Sequence, residues 1–318
     1  MKLDQGVVII APNSLVGSKV VDQFTAQSIL VQKIDHQGGD DSLKADITNQ
    51  DQLIDALRQC SGSVVINFAA ATAVDEIEKT RPQNLDDKAE LESNSAYLIN
   101  VIGTKALMEA CRQTNKIPVF ISTDFVFDGQ NGPYSEDDQV ATDPNLISWY
   151  GWTKLLAEKE IDLTRSLVIR IAYPYRQEYS LKGDLVRNFL KQYDQFKAGE
   201  LSRLIQPFAD QLITPTLVDD LGPALIHLID QDQRGIFHLA SPDSVNVYQF
   251  FCEALKIGRG VENPEGVLEA GSLKDYMEQF PDKAKRPIKG GLSSQKLVET
   301  GFTPTNWQEG LIKVFANR

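Results

Sequence analysis

The sequence predicts a doubly wound α/β fold, a parallel sheet with helices on both faces, followed by a smaller α/β lobe. Three observations carry that expectation. The first half alternates short apolar runs with helical patterns, in the manner of βαβ units. The runs are continuously apolar, as in strands buried on both faces. The 318 residues, 42% hydrophobic and 24% charged, suffice for a sizeable core and two lobes.

Each element has its own signal. Strands are expected at "GVVIIA", "ILVQKID", "SVVINFAA", "IPVFIST" and "SLVIRIA", all enriched in β-branched residues. Helical spacing marks "GSKVVDQFTA", "NQDQLIDALRQC", "SAYLINVIGTKALMEACRQT" and "YGWTKLLAEKEIDL". The polar stretch Glu78 to Ser93 reads as a solvated loop or insertion. After about Tyr173 the pattern loosens into "LVRNFLKQYDQF", "LVDDLGPALIHLID" and "VYQFFCEALKI", separated by loops bearing Pro and Gly. One short run there, "GIFHLA", is able to return to the sheet, which makes the second lobe interleaved with the first.

Composition narrows the partners. With 32 Lys+Arg against 44 Asp+Glu the formal charge is -12, which argues against nucleic acid or an anionic membrane. A phosphorylated ligand must then rely on a few local cations or on backbone N–H groups. Cys60, Cys111 and Cys252 are too widely spaced for a zinc pattern or a disulfide framework and read as buried thiols of a reducing cytoplasm. No metal site is expected. The start "MKLDQGVVII" is too short and charged for a signal peptide, and no apolar run reaches the ~18–20 residues of a membrane span.

The first strand runs into "APNSLVG", where a Rossmann protein places its glycine-rich phosphate loop. Here the three glycine positions hold Ala11, Ser14 and Gly17, with Pro12, Asn13, Leu15 and Val16 between them. Gly17 retains close helix–strand packing, and Ala11 is tolerable at negative φ. Asp35 closes the second strand 18 positions after Gly17, close to the ~20-residue offset of an acid that reads ribose hydroxyls. A carboxylate there repels a 2′-phosphate, so NAD(H) is expected over NADP(H). Residues 1–172 accordingly read as a dinucleotide-binding domain and 173–318 as the substrate lobe, with a strand near 235–240 returning to the sheet.

Chemistry concentrates in "YGWTK". Tyr150 and Lys154 lie four apart, on one helix face. A nearby ammonium favours phenolate, and a drop of ~3 pKa units corresponds to ~4 kcal/mol of differential stabilisation. Tyr-x-x-x-Lys also occurs by chance on amphipathic helices. Its company makes it informative: Ser122 and Thr123 end a buried strand at the carboxyl edge, where open α/β sheets bind ligands, and an acidic-aromatic loop follows.

These blocks resemble the extended short-chain dehydrogenase/reductases, and among them the dTDP-4-dehydrorhamnose reductases. The resemblance runs through "VVINFAAATAVDEIE", "NVIGTKALMEAC", "STDFVFDGQNGPYSEDD", "YGWTKLLAEKEI", "FADQLITPTLVDDL", "GIFHLA" and "RPIKGGLSSQKL". It implies reduction of a nucleotide-linked 4-keto-6-deoxy sugar by NAD, with NADP possible. Tyr150 would be the proton donor. Lys154 would lower the tyrosine pKa and bind the nicotinamide ribose. Thr123 would orient the carbonyl, and Asn100 would support the lysine. Asp46 and Ile47 would flank adenine, Phe68, Ala69 and Ala70 would line the cofactor, and Tyr173 of "AYPY" would lie near the nicotinamide amide. Asp124, Phe125, Arg187 and Arg286 are the substrate candidates; sugar-nucleotide dehydratases carry Asp-Glu where this chain has Asp124 and Phe125. The eroded glycine loop keeps a non-catalytic binding homologue in play, and a sugar-nucleotide epimerase is a third reading. The tail "RPIKGGLS" departs from the family pattern and leaves the sugar open. Oligomeric state is open too, with a homodimer among the possibilities.

Overall fold

The computed structural model describes residues 3–177 and 183–316. Seven parallel strands form the sheet: β1 (Val7–Ile10), β2 (Val31–Asp35), β3 (Ser42–Lys44), β4 (Val64–Asn67), β5 (Ile117–Thr123), β6 (Leu167–Ile171) and β8 (Gly235–Leu239), with β7 (Leu212–Ile213) and β9 (Val245–Asn246) paired antiparallel elsewhere. The order is β3-β2-β1-β4-β5-β6-β8. Its reversal beside β1 opens a crevice at the carboxyl edge between β1 and β4, the position at which such sheets take ligands.

Side-chain alternation builds the two layers. Val7 and Ile9 of β1 face α1 (Gly17–Ala26), through Val20 and Phe24. Val8 and Ile10 face α2 (Gln50–Arg58), through Leu53 and Leu57. The short α3 (Val74–Glu78), α4 (Lys88–Ser93) and α5 (Ser95–Tyr97) come next, and a wide π turn over Leu98–Ile102 leads into α6 (Gly103–Gln113). The catalytic candidates sit on α7 (Trp149–Lys159).

In the C-terminal part, α8 (Leu185–Lys197) and α10 (Val247–Arg259) share a second core that includes Phe189, Phe250, Phe251 and Tyr175. The intervening α9 (Leu221–Asp230) instead packs on the main sheet through Leu221, Leu225 and Leu228. "GIFHLA" does return: Gly235–Leu239 pairs in register with Leu167–Ile171. The polar stretch differs from the loop expected of it. It contains α4, and Asp87 caps that helix by accepting from Ala89 N and Glu90 N.

Candidate active site

Backbone geometry at the carboxyl edge of β1 sets the first half of the site. Ala11 has φ 56, so the expectation of negative φ is corrected: the chain turns left-handed immediately after the strand, and an alanine bears the strain a glycine would avoid. Ser14 N donates to Ala11 O, and Gly17 N donates to Ser14 Oγ at 3.0 Å. The serine thus caps the first turn of α1, a job its hydroxyl does without glycine. A Cβ on Gly17 would lie 2.7 Å from both Ala11 O and Ser14 Oγ and 3.2 Å from the Phe68 ring, so the turn is closed around a bare Cα. Asn13 is exposed, and Leu15 and Val16 are half-buried.

The other strand ends extend this groove. Asp35 Oδ1 accepts from Gln37 N at 3.0 Å and lies 3.2 Å from His36 Nδ1. Asp46 is exposed; its Oδ1 accepts from Thr48 N at 2.9 Å and from Thr48 Oγ1 at 2.8 Å. Ile47 is buried under Gly103. Phe68, Ala69 and Ala70 follow β4 half-buried, and Ala69 N donates to Asn67 Oδ1.

The second half gathers around β5 and α7. Thr123 Oγ1 donates to Asp124 Oδ1 at 3.2 Å and accepts from Phe125 N at 3.3 Å. Phe125 meets the Tyr150 ring edge-on at 5.8 Å between centroids. Lys154 is 3% exposed; its Nζ donates to Ile121 O at 2.8 Å and sits 3.9 Å from the centre of the Phe120 ring. Asn100 lies in the π turn, where such irregularities recur at functional sites. Its Oδ1 accepts from Ala71 N at 2.8 Å and its Nδ2 donates to Thr153 Oγ1 at 2.9 Å, so it grips the residue before Lys154. Tyr173 has φ 44, and its hydroxyl accepts from Gln211 Nε2 at 2.6 Å. Ser122, expected at the same edge, faces the opposite side of β5 and is buried with its Oγ unbonded.

Electrostatics here differ from the expectation in one respect. Burial pushes the Tyr150 hydroxyl well above its ordinary value, with Thr123 hydrogen bonding opposing and Asp124 reinforcing the shift. Lys154 is not among the groups that shift it; its Nζ is seated on the Ile121 carbonyl and the Phe120 face. Burial lowers Lys154 itself to about 7, against a raising influence from Glu158. It also lifts Asp124 to about 7, with its bond to Thr123 opposing, and raises Tyr173. Perturbed acid–base groups thus converge on one edge, the usual mark of a reaction centre. Burial thus favours the protonated form of Tyr150.

Of the two arginine candidates, Arg187 lies outside this centre. It donates to Asp184 Oδ2 and to the carbonyls of Arg176 and Gln177, an anchor for the chain between β6 and α8. Arg286 does reach the mouth, beside Phe125, where its Nη2 donates to Asp75 Oδ2 at 2.6 Å.

The sequence reading missed the groups that aim α7. Glu78 Oε2 accepts from Trp149 N at 2.6 Å, Arg81 donates to the Pro144 and Ile147 carbonyls, and Asn94 Oδ1 accepts from the Trp149 indole at 3.1 Å. All three come from the stretch read as a solvated insertion and its border. Only its position just ahead of the predicted "SAYLIN" helix hinted at this. Among the described residues no group of three or more His, Cys, Asp or Glu could hold a metal ion, and no helix is long and apolar enough to cross a membrane.

The "RmlD substrate binding domain" family model matches residues 5–318. The chain belongs to that family. It is 32% identical over 316 residues to a dTDP-4-dehydrorhamnose reductase of Mycolicibacterium smegmatis, covering 96% of this chain and 84% of that protein. A crystal structure of a dTDP-4-dehydrorhamnose reductase from Clostridium acetobutylicum superposes with a TM-score of 0.76 at 27% identity, covering 98% of each chain. The Bacillus anthracis dTDP-4-dehydrorhamnose reductase, solved in complex with NADP, shares the fold with a TM-score of 0.76 over 100% of both chains at 24% identity.

Proposed function

We propose that this chain reduces a nucleotide-linked 4-keto-6-deoxy sugar with a reduced nicotinamide cofactor, as a dTDP-4-dehydrorhamnose reductase. The observation that carries the reading is the convergence of Thr123, Tyr150 and Lys154 at the end of β5, in a chain 32% identical to a reductase of that name. That set, with its protonated tyrosine, favours the reductase over a non-catalytic homologue, and the relatives' names favour it over an epimerase.

The residues present fit the cofactor: the tight Gly17 turn suits a pyrophosphate at the start of α1, and Asp35 suits ribose hydroxyls. Asp46, Ile47, Phe68, Ala69 and Ala70 border the same groove toward the adenine side, and Tyr173 the nicotinamide side. When bound, the reduced cofactor supplies the hydride. Tyr150 gives its proton to the carbonyl oxygen, which Thr123 orients, and Lys154 has ammonium donors left for a ribose. Asp124 and Phe125 line the sugar, and residues 173–318 form the substrate lobe. Arg286 serves a sugar diphosphate once its pair with Asp75 opens. The charge of -12 supports work away from nucleic acid and anionic membranes, and the buried free thiols Cys60, Cys111 and Cys252 support a reducing cytoplasm. Asp35 supports NADH over NADPH, which affinities for both cofactors check; tighter NADPH binding overturns it.

The test is a titration of the purified protein with reduced cofactor, read by nicotinamide fluorescence, followed by turnover of a dTDP-linked 4-keto sugar. Saturable binding and cofactor oxidation are expected. A flat titration, or binding without turnover, rejects the reading.

A further inference from the structure

We propose that Glu78 is a positioning residue for Tyr150: from α3 it holds the first N–H of α7 and so fixes where the phenol stands. The first N–H groups of a helix have no partner within the helix, and the end frays unless something outside accepts from them. Tyr150 is the second residue of α7, inside that vulnerable turn. Ser148 Oγ accepts from Gly151 N at 3.1 Å, and Trp152 N donates to Ser148 O at 2.9 Å. Trp149 N, in the residue next to Tyr150, donates to Glu78 Oε2 at 2.6 Å, across 71 positions of chain. A carboxylate also suits the positive end of the helix dipole.

Glu78 is itself held. Its Oε1 accepts from Arg81 Nη1 at 2.9 Å, and Arg81 donates onward to Ile147 O at 3.2 Å and to Pro144 O. One ion pair therefore grips both the loop entering α7 and the first residue of that helix. A helix as short as α3 has little stability of its own, so its place depends on what it touches. At its other end Asp75 Oδ2 accepts from Arg286 Nη2 at 2.6 Å. Between these anchors Ile77 is buried with Ala96 and the fully enclosed Trp149, and Tyr150 packs against that cluster.

Tyr150 is thereby set from two sides. Phe125 meets its ring edge-on from the end of β5, and the cluster under α3 supports it from the other side. A proton donor must stand within hydrogen-bond reach of the oxygen it serves. A displacement of ~1 Å at such a group can cost ~10²-fold in rate. Glu78 contacts α7 at its backbone, so it acts through the helix and not on the reacting atoms.

The consequence for catalysis rests on the reductase reading, so the test also reads Tyr150 directly. Protein labelled with 13C at tyrosine Cζ is recorded by NMR without substrate or cofactor, and Tyr150→Phe assigns the resonance. Glu78→Ala should shift or broaden the Tyr150 signal. Glu78→Gln, which keeps an oxygen for Trp149 N, should restore it. Turnover is counted per site that binds reduced cofactor, so that unfolded protein does not enter. On that count kcat for ketone reduction should fall about 10- to 100-fold in Glu78→Ala, with KM nearly unchanged, and recover in Glu78→Gln. Where Glu78→Ala does not fold, Glu78→Asp, one methylene shorter, takes its place in both measurements. If the parent turns over, either readout at its parental value overturns the proposal, and so does an unmoved Tyr150 signal in any case. A displaced Tyr150 signal in a protein whose parent reduces no sugar leaves the proposal standing and rejects the reductase reading instead.

Discussion

Tyr150 and Asp124 show how burial sets chemistry one side chain at a time. The phenol is withdrawn from water, so its proton stays on oxygen near neutrality. Tyr150→Phe removes that proton and keeps the ring against Phe125. Ketone reduction should fall by ~10²–10⁴ with cofactor affinity and melting temperature nearly unchanged, because only general acid catalysis is lost. Parental turnover in the Phe variant would show that the donor is another group. Asp124 makes a different prediction, about stability. Its carboxyl titrates near 7 when folded against 3.8 ordinarily, so the folded chain holds an extra proton between those values. The stabilisation is complete below 3.8 and is lost as pH rises through 7, at a slope of up to roughly 1.4 kcal/mol per pH unit. His238 acts in the opposite sense: its depressed value gives stability above 6.5 that is lost as pH falls toward 3. The difference between parent and Asp124→Asn isolates the aspartate. Denaturation at pH 5 and pH 8 should show the variant gaining on the parent at the higher pH; equal losses would mean Asp124 ionises normally.

The loop after β1 and the start of α7 are where single elements departed from their patterns. Strand and helix were both readable around residues 11–17, because apolar run and helical period are local. The sign of φ at Ala11 was not, since it depends on how the turn closes around Gly17. Two substitutions now separate. Ala11→Gly should raise stability by about 0.5–1 kcal/mol and tighten NADH, since relief of the left-handed strain outweighs glycine's added freedom when unfolded. Ser14→Gly should cost about 1 kcal/mol, because Gly17 N loses its cap. Melting temperatures and NADH affinities of the single variants decide; a destabilised Ala11→Gly would mean the turn is not left-handed. The seat of α7 was equally hidden. Glu78, Arg81 and Asn94 look like surface residues until the fold brings them beneath Trp149.

Across the whole molecule, the region after β1 and the C-terminal part are tied together by apolar packing of α9 on the main sheet and by polar side chains. Arg176 is the clearest: 2% exposed, it donates through Nη1 to Leu15 O at 2.9 Å and to Ser18 Oγ at 2.8 Å. Lys19 adds an ion pair to Asp219 at 2.9 Å. The turn after β1 and the start of α1 are thus braced by residues 158 to 200 positions away. Arg176→Ala should cost about 2–3 kcal/mol, on the scale of hydrogen bonds to a buried charge. NADH affinity should fall along with melting temperature. Weakened stability with intact affinity would show that the brace serves the lobe and not the groove.

By itself the sequence determined the sheet, its covering helices and the turn from β1 into α1, and it singled out Thr123, Tyr150 and Lys154, which the fold brings to the end of β5. Those features follow from period, β-branching and spacing, which act over a turn or a strand. It also marked the return of Gly235–Leu239, whose apolar run could be buried only on an existing edge. Tertiary structure alone decided which charges remain available. Arg187 and Arg286 are alike as sequence, but one is spent on Asp184 and backbone carbonyls while the other faces Asp75 across the mouth. It likewise buried Lys154, the expected partner of Tyr150, against the Ile121 carbonyl and the Phe120 ring. Ionisation depends on dielectric and on neighbours brought from distant segments, and neither is written in the local pattern of residues.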